Sequence, residues 1–260
     1  MISCLIIDLG LIGFADAFAL QKRIVAARKA EAMGDVLLLC GHPHVITLGR
    51  NGSREHLLAS EPVLRQKGVE FYATNRGGDI TYHGPGQIVG YPVVNLSAIR
   101  RDVVWYVRML EEVMIRTCGD FGVGAGREAG KTGVWVARAT ETSRDLTPRA
   151  QRTQSSQSGE AEKIGAIGVH ISRWVTSHGF AFNVDTDLRF FDLIVPCGIA
   201  GRTATSLEKM LGRRVDRNEV APLVAKHFGE VFRLEMKLSS REGLMDALQR
   251  FEQQPVEVPA

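Results

Sequence analysis

Five consecutive apolar residues, Val36 to Cys40, stand between Asp35 and Gly41. A run of that length without polar alternation is consistent with a strand buried on both faces. The surrounding sequence mixes strand and helix patterns. Ala15 to Met33 reads as a helix, with Phe18, Ile24, Val25 and Ala32 apolar and a stop at Gly34. Asp102 to Phe121 is the clearest helix: Val103, Val107, Leu110, Met114, Thr117 and Phe121 recur at spacings of three and four, and Asp102 is a cap. Val220 to Phe232 and Arg241 to Phe251 carry the same period. Strands are expected at Cys4 to Leu9, Val69 to Tyr72, Tyr91 to Leu96 and Gly133 to Ala137. Another is expected at His44 to Leu48, as a neighbour of the 36–40 strand. Ile164 to Ile171 and Gly179 to Val184 form a strand pair.

A chain of 260 residues suits one large α/β domain or two small ones. Hydrophobic content of 45% and charged content of 23% place it with ordinary globular proteins. A net charge of +3 falls short of the dense basic stripe of a nucleic-acid binder. The first eight residues lack a basic signal-peptide start, and no uncharged apolar run is long enough to cross a bilayer. Cys4, Cys40, Cys118 and Cys197 are scattered without a CxxC, as expected for reduced thiols of a cytoplasmic protein. Arg138 to Glu162 is rich in Arg, Thr, Ser, Gln and Glu and poor in large apolar residues, so it is expected to be a flexible surface loop. The expectation is one domain over 1–252, with a disordered tail over 253–260.

Four segments bear chemistry. Arg76 to Gln87 (RGGDITYHGPGQ) holds four glycines in twelve residues, which admit close backbone approach or positive φ, with Arg76 and His83 as polar handles. No GxGxxG or GK[ST] accompanies it, so a nucleotide phosphate loop is poorly supported; a plain glycine-rich hairpin is the simpler alternative. Lys163 precedes an apolar strand in which Gly165 and Gly168 lack side chains, a sign of close approach by another group; an exposed lysine is the alternative. His178, before Gly179 and an aromatic strand face, offers a base, but a lone histidine before a strand is more often structural. Pro196-Cys197-Gly198 displays a thiol in a tight turn, whereas Cys118 and Cys4 read as core. Cys40-Gly41-His42-Pro43-His44 has the look of a metal clip, but a further ligand is wanting and Pro43 breaks the strand.

Taken together these segments resemble the lipoyl(octanoyl) transferase family. The matching pieces are His42-Pro43 with Thr47-Leu48-Gly49-Arg50, the RGGDITYHGPGQ run, Thr132-Gly133-Val134-Trp135-Val136, Lys163-Ile164 with Gly168, His178-Gly179 with Asn183-Val184, and Pro196-Cys197-Gly198-Ile199. They cover roughly 5–210 in the family's order. The resemblance implies an α/β (α+β) fold, a mixed β-sheet core flanked by helices, as in the lipoate and biotin protein ligases. It implies octanoyl transfer from acyl carrier protein to a lysine of lipoyl domains, those of 2-oxoacid dehydrogenase complexes and the glycine cleavage H protein, with no nucleic-acid or membrane partner. It assigns Cys197 as the acyl-thioester nucleophile and Lys163 as the cation that favours its thiolate. Arg76, Gly77, Gly78, Asp79, Ile80, Thr81, Tyr82 and His83, then Ala166, Ile167 and Gly168, then Gly179, Phe180 and Ala181, would bind substrate. Two departures stand out: the longer 138–162 segment, and Gly165 where the family pattern has Ala.

A thioester donor is already activated, so this chemistry needs no cofactor, neither ATP nor metal. A cation beside a thiol of ordinary pKa ~8.5 populates thiolate at neutral pH. An octanoyl chain buries about six CH₂ groups, on the order of 5 kcal/mol at ~0.8 each. Two other readings compete: an ATP-dependent lipoate-protein ligase, which would not require Cys197, and a module that binds acyl carrier or lipoyl domains without turnover. The pairing of Cys197 with Lys163 speaks against both.

Overall fold

A computed structural model describes residues 2–137, 161–196 and 203–253. In chain order the elements are β1 (Ile2–Leu11), α1 (Phe14–Lys29), β2 (Asp35–Gly41), β3 (Val45–Leu48), α2 (Glu61–Gln66), β4 (Glu70–Ala73), β5 (Ile80–His83) and β6 (Gln87–Val93). Then come α3 (Val103–Asp120), β7 (Ala125–Gly126), β8 (Val134–Val136), β9 (Glu162–Ser172), β10 (Val175–Asn183), α4 (Leu207–Leu211), α5 (Arg217–Phe232), β11 (Leu234–Leu238) and α6 (Arg241–Glu252). Among the described residues no helix is long and apolar enough to cross a membrane.

The large sheet has eight strands in the order β11-β1-β2-β6-β10-β9-β8-β7. It is mixed: β1 pairs parallel with β11 and β2, and the remaining pairs are antiparallel. The continuous apolar run of β2 explains its central place. Leu37 and Leu39 alternate onto one face, with Leu110, Val113 and Met114 of α3 and Val224 and Phe228 of α5. Val36, Leu38 and Cys40 enter the opposite core, with Leu20 and Ile24 of α1 and Leu244 and Leu248 of α6. Each large side chain so buried contributes about 1.5–3 kcal/mol.

A second sheet of three strands, β4-β3-β5, packs on Leu64 of α2 and on Leu193 and Ile194. Here the structure corrects an expectation: the 44–48 strand does not neighbour β2. The β3 strand instead pairs parallel with β4 and antiparallel with β5. Pro43, lacking an N–H, ends one ladder and lets the chain turn into the other. The Arg76 to Gln87 segment is not a hairpin either. Its strand β5 belongs to the small sheet, and Gly84-Pro85-Gly86 carries the chain into β6 of the large one. Gly86 is needed there: its φ is +83°, and a Cβ would lie 2.7 Å from the Asp185 backbone.

Asp102 caps α3 through its Oδ1, which accepts from Trp105 N at 2.9 Å. The buried stripe of α3 is rotated from the expected one. Tyr106, Glu111, Val113 and Cys118 face inward with Leu110, Met114 and Thr117, while Val103 is exposed. Of the expected 138–162 loop, residues 138–160 lie outside the described residues. Glu162, however, is the buried first residue of β9, held by Lys209 Nζ at 3.0 Å and by Thr203 Oγ1 at 3.0 Å. Of the expected tail, Gln253 caps α6, and 254–260 lie outside the described residues.

Candidate active site

Between the glycine-rich loop and strands β6, β9 and β10 lies a cleft of about 390 Å³. Its apolar wall is Phe14, Val89, Tyr91, Phe180 and Ala181, all buried. Its polar wall includes Arg76, Asp79, His83, His178 and Lys163. A smaller lobe of about 30 Å³ adjoins it, sharing Thr81, Lys163, Ala166 and Ala181.

The loop is placed by close packing on β9. Gly77 N donates to Val169 O at 2.8 Å, and a Cβ on Gly168 would lie 2.8 Å from Gly77 O and 3.0 Å from Arg76 Cδ. The side-chain-free position in β9 thus receives another chain segment, as its sequence suggested. Arg76 is buried rather than a free handle. Its Nη2 donates to Thr47 O at 2.6 Å and to Thr47 Oγ1 at 2.9 Å, and its Nη1 donates to Gly77 O at 3.1 Å.

His83 is also buried. Gln87 Nε2 donates to Tyr82 O at 3.1 Å and to Asn183 Oδ1 at 3.0 Å, which leaves Gln87 Oε1 to accept from His83 Nδ1–H at 3.1 Å. Burial, then His42 and the Arg76 guanidinium, push His83 down to about 3, so it is neutral at pH 7. His178 donates from Nε2 to Asn75 Oδ1 at 2.8 Å; burial, then Arg76 and His170, bring it down to about 4. It holds a left-handed φ of +54° and stacks on Phe18 at 5.2 Å. The metal-clip residues are otherwise engaged. His42 Nδ1 donates to Ile12 O at 2.7 Å and its Nε2 accepts from Tyr91 OH at 2.7 Å, while His44 Nδ1 meets Tyr82 OH at 2.7 Å. Among the described residues no three His, Cys, Asp or Glu side chains are grouped to hold a metal.

Lys163 sits at a β-bulge. The β8–β9 register shifts between Val134↔Gly165 and Trp135↔Lys163, and a bulge re-aims side chains. Lys163 Nζ lies 4.7 Å from the centre of the Trp135 ring, at the junction of cleft and lobe. Its backbone is tied on both sides to the stretch after Cys197: Lys163 N donates to Thr203 O at 3.0 Å, and Thr205 N to Lys163 O at 2.9 Å. Cys197 lies outside the described residues. Pro196 before it and Thr203 after it both line the lobe that Lys163 lines. Cys4, Cys40 and Cys118 are buried, and burial pushes their thiols far above the ordinary range, so they stay protonated.

Of the substrate residues expected from sequence, the cleft brings together Arg76, Gly78, Asp79, Ile80, Thr81, His83, Ala166, Ile167, Gly168, Gly179, Phe180 and Ala181. Gly77 and Tyr82 do not line it. Gly77 packs on β9, and Tyr82 faces the small lobe, stacked on Phe190 at 5.2 Å. Sequence reasoning missed Phe14, Asn51, Val89, Tyr91 and Gly130 to Thr132 as cleft residues, and favoured a structural role for His178 over that of a base. Phe14, Val89 and Tyr91 carried only the core pattern of their own elements, and Asn51, Gly130 and Lys131 lie between elements; Thr132 and His178 stood within the family-matching pieces without being given a place in the cleft.

The family model for the lipoyl protein ligase A/B catalytic domain matches residues 14–229. The chain belongs to this family. Among its curated relatives, an octanoyltransferase of Solibacter usitatus is 48% identical over 91% of this chain and 96% of its own length. One from Koribacter versatilis is 43% identical over 98% and 93%. One from Caldicellulosiruptor saccharolyticus is 42% identical over 92% and 93%. These relatives place the chain with the octanoyltransferases, enzymes of octanoyl transfer in lipoate biosynthesis. Solved structures share the fold. A bi-partite lipoate protein ligase from Thermoplasma acidophilum aligns with a TM-score of 0.70 at 13% identity, over 98% of this chain and 94% of that one. A lipoate-protein ligase A bound with ATP aligns with a TM-score of 0.67 at 14% identity, over 98% and 96%.

Proposed function

We propose that this enzyme moves an octanoyl group from acyl carrier protein to a lysine of a lipoyl domain through a thioester on Cys197. The observation that carries the reading is the convergence at Lys163: the residues on either side of Cys197 line the lobe beside its ammonium. The three other cysteines are buried and protonated, which supports Cys197 as the nucleophile.

The Cys197 thiolate attacks the donor carbonyl, a C–S bond forms, and the donor's pantetheine thiolate leaves, taking a proton from the Lys163 ammonium. The lipoyl-domain lysine amine then attacks the acyl-Cys197 carbonyl. The amine proton passes to Lys163, the C–S bond breaks, and Cys197 thiolate is restored. Amide replaces thioester, which drives the second step. The apolar wall of Phe14, Val89, Tyr91, Phe180 and Ala181 suits the acyl chain, whose burial contributes about 5 kcal/mol. Neutral His83 and His178 keep cationic charge off that wall.

Intact-mass spectrometry after incubation with octanoyl-acyl carrier protein, without ATP, tests the proposal. An octanoyl adduct mapped to Cys197 and lost in Cys197→Ser is expected. An adduct that requires ATP and free octanoate would instead indicate a ligase.

A further inference from the structure

The one fully buried carboxylate of α3 holds the peptide that packs against the Lys163 side chain. Glu111 is 0% exposed. Its Oε2 accepts from Arg108 Nη1 at 2.8 Å and from Arg127 Nε at 3.0 Å, and its Oε1 accepts from Gly133 N at 3.0 Å. A carboxylate removed from water needs such partners, and this one has cations on one oxygen and a backbone N–H on the other.

Arg108 lies on α3 itself, while the other two partners, Arg127 and Gly133, bracket one loop. Arg127 opens it and Gly133 closes it, and its middle residues Gly130, Lys131 and Thr132 line the cleft. Arg127 Nη2 adds a bond to Glu112 Oε2 at 2.8 Å. Gly133 has a φ of +121°, a backbone state that L side chains rarely adopt. A Cβ there would lie 2.6 Å from Gly165 O, 3.0 Å from Lys163 Cε and 3.3 Å from Lys163 Nζ. The bulge and the Lys163 side chain therefore rest on the peptide that Glu111 holds.

We infer that Glu111 is the positioning residue for Lys163, acting through Gly133. It does not touch substrate. It fixes the peptide plane against which the lysine lies, and so fixes where the ammonium stands. The inference rests on the reading of Lys163 as the partner of the thiol. The sign of its effect is distinctive. Deleting a nearby anion by itself stabilises a thiolate and lowers its midpoint. Loosening the lysine does the opposite.

The test is the pH dependence of Cys197 alkylation by iodoacetamide in the full-length protein, read on the Cys197 peptide, with thermal unfolding alongside. The variants are Glu111→Gln, Lys163→Ala, their double variant and Arg127→Gln. A glutamine presents one acceptor where two are required, so it cannot serve both the arginines and Gly133 N–H. Glu111→Gln is expected to shift the midpoint upward and to slow alkylation at pH 7 by about threefold, the size of a ~0.5-unit shift. Arg127→Gln, which leaves Glu111 in place, shifts it the same way by less, and serves if Glu111→Gln unfolds. The double variant is expected to be no slower than Lys163→Ala alone, because Glu111 works only through the lysine. A Glu111→Gln rate that is unchanged or faster, with only the melting temperature lowered, overturns the inference. So does a double variant slower than Lys163→Ala by the full Glu111→Gln factor. If Lys163→Ala itself leaves the midpoint unchanged, the role of Lys163 fails first and the inference falls with it.

Discussion

Mild acid tests the buried polar side of the cleft. His83 and His178 are neutral in the fold, with values brought down to about 3 and about 4, chiefly by burial. In the unfolded chain each takes up a proton near pH ~6.5. Between that value and the folded one the unfolded state binds more protons, so stability rises with pH and is lost as pH falls from about 6.5. At 1.36 kcal/mol per unit, going from pH 7 to pH 5 costs about 2 kcal/mol per histidine, or about 4 kcal/mol for the pair. His42, also lowered by burial, adds in the same direction. The paired carboxylates Asp8 and Asp187 are held below their usual value, so their losses begin at lower pH and leave this window to the histidines. For a domain stable by ~5–15 kcal/mol the drop is large. Urea unfolding followed by tryptophan fluorescence at pH 7, 6 and 5 measures it; with an m-value of ~3 kcal/mol/M the midpoint falls by about 1.3 M. His178→Gln keeps the donor to Asn75 without a titrating ring, and should remove its own share of the pH dependence, about 2 kcal/mol. His83→Asn does the same toward Gln87. A midpoint that is equal at pH 7 and pH 5, or that falls as steeply in both variants as in the parent, would refute the burial argument.

Other consequences follow from single contacts. Gly168→Ala drives a Cβ into Gly77 O and Arg76 Cδ, and should lower kcat/KM at least ~10-fold through a displaced glycine-rich loop while costing ~1–3 kcal/mol of stability, read by an octanoyl-transfer assay beside urea unfolding. Gly165→Ala meets the Met114 Sδ at 2.6 Å, so it should cost ~1–3 kcal/mol alone and recover most of that when Met114→Val makes room, as chemical denaturation would show. Lys209→Ala leaves buried Glu162 with Thr203 as its remaining side-chain donor among the described residues and should lower stability by ~1–2 kcal/mol, less than a fully buried pair because Lys209 is half exposed; differential scanning calorimetry checks it.

The periodic parts of this fold were readable from sequence because their signal is local. Val36 to Cys40 reads as a two-sided strand, and Asp102 as the cap of α3, without knowledge of any partner. Gly168 announced a close approach, and the glycine-rich loop fills it. What did not read was set by tertiary partners. β3 and β5 form their own sheet because Pro43 and Gly84-Pro85-Gly86 redirect the chain, and no period encodes that choice. Glu111 looks like one more surface glutamate until Arg108, Arg127 and Gly133 are brought around it. Arg76 and His83 were recognisable as polar residues of a loop, but their hydrogen bonds reach Thr47 and Gln87 on other strands, and the neutrality of the histidine comes from burial, then from His42 and Arg76. Gly165 departs from the family pattern, and the Met114 side chain occupies the space an alanine methyl would need.

The covalent route through Cys197 is the centre of the account, and its kinetic competence is measurable. Octanoyl-enzyme formed with octanoyl-acyl carrier protein is freed of donor, mixed with a lipoyl domain in a rapid-quench apparatus, and assayed for octanoyl-lysine. The account predicts single-turnover transfer at least as fast as steady-state kcat, with loss of the Cys197 adduct matching gain of the amide. A Cys197 adduct that forms but discharges more slowly than the enzyme turns over would contradict it.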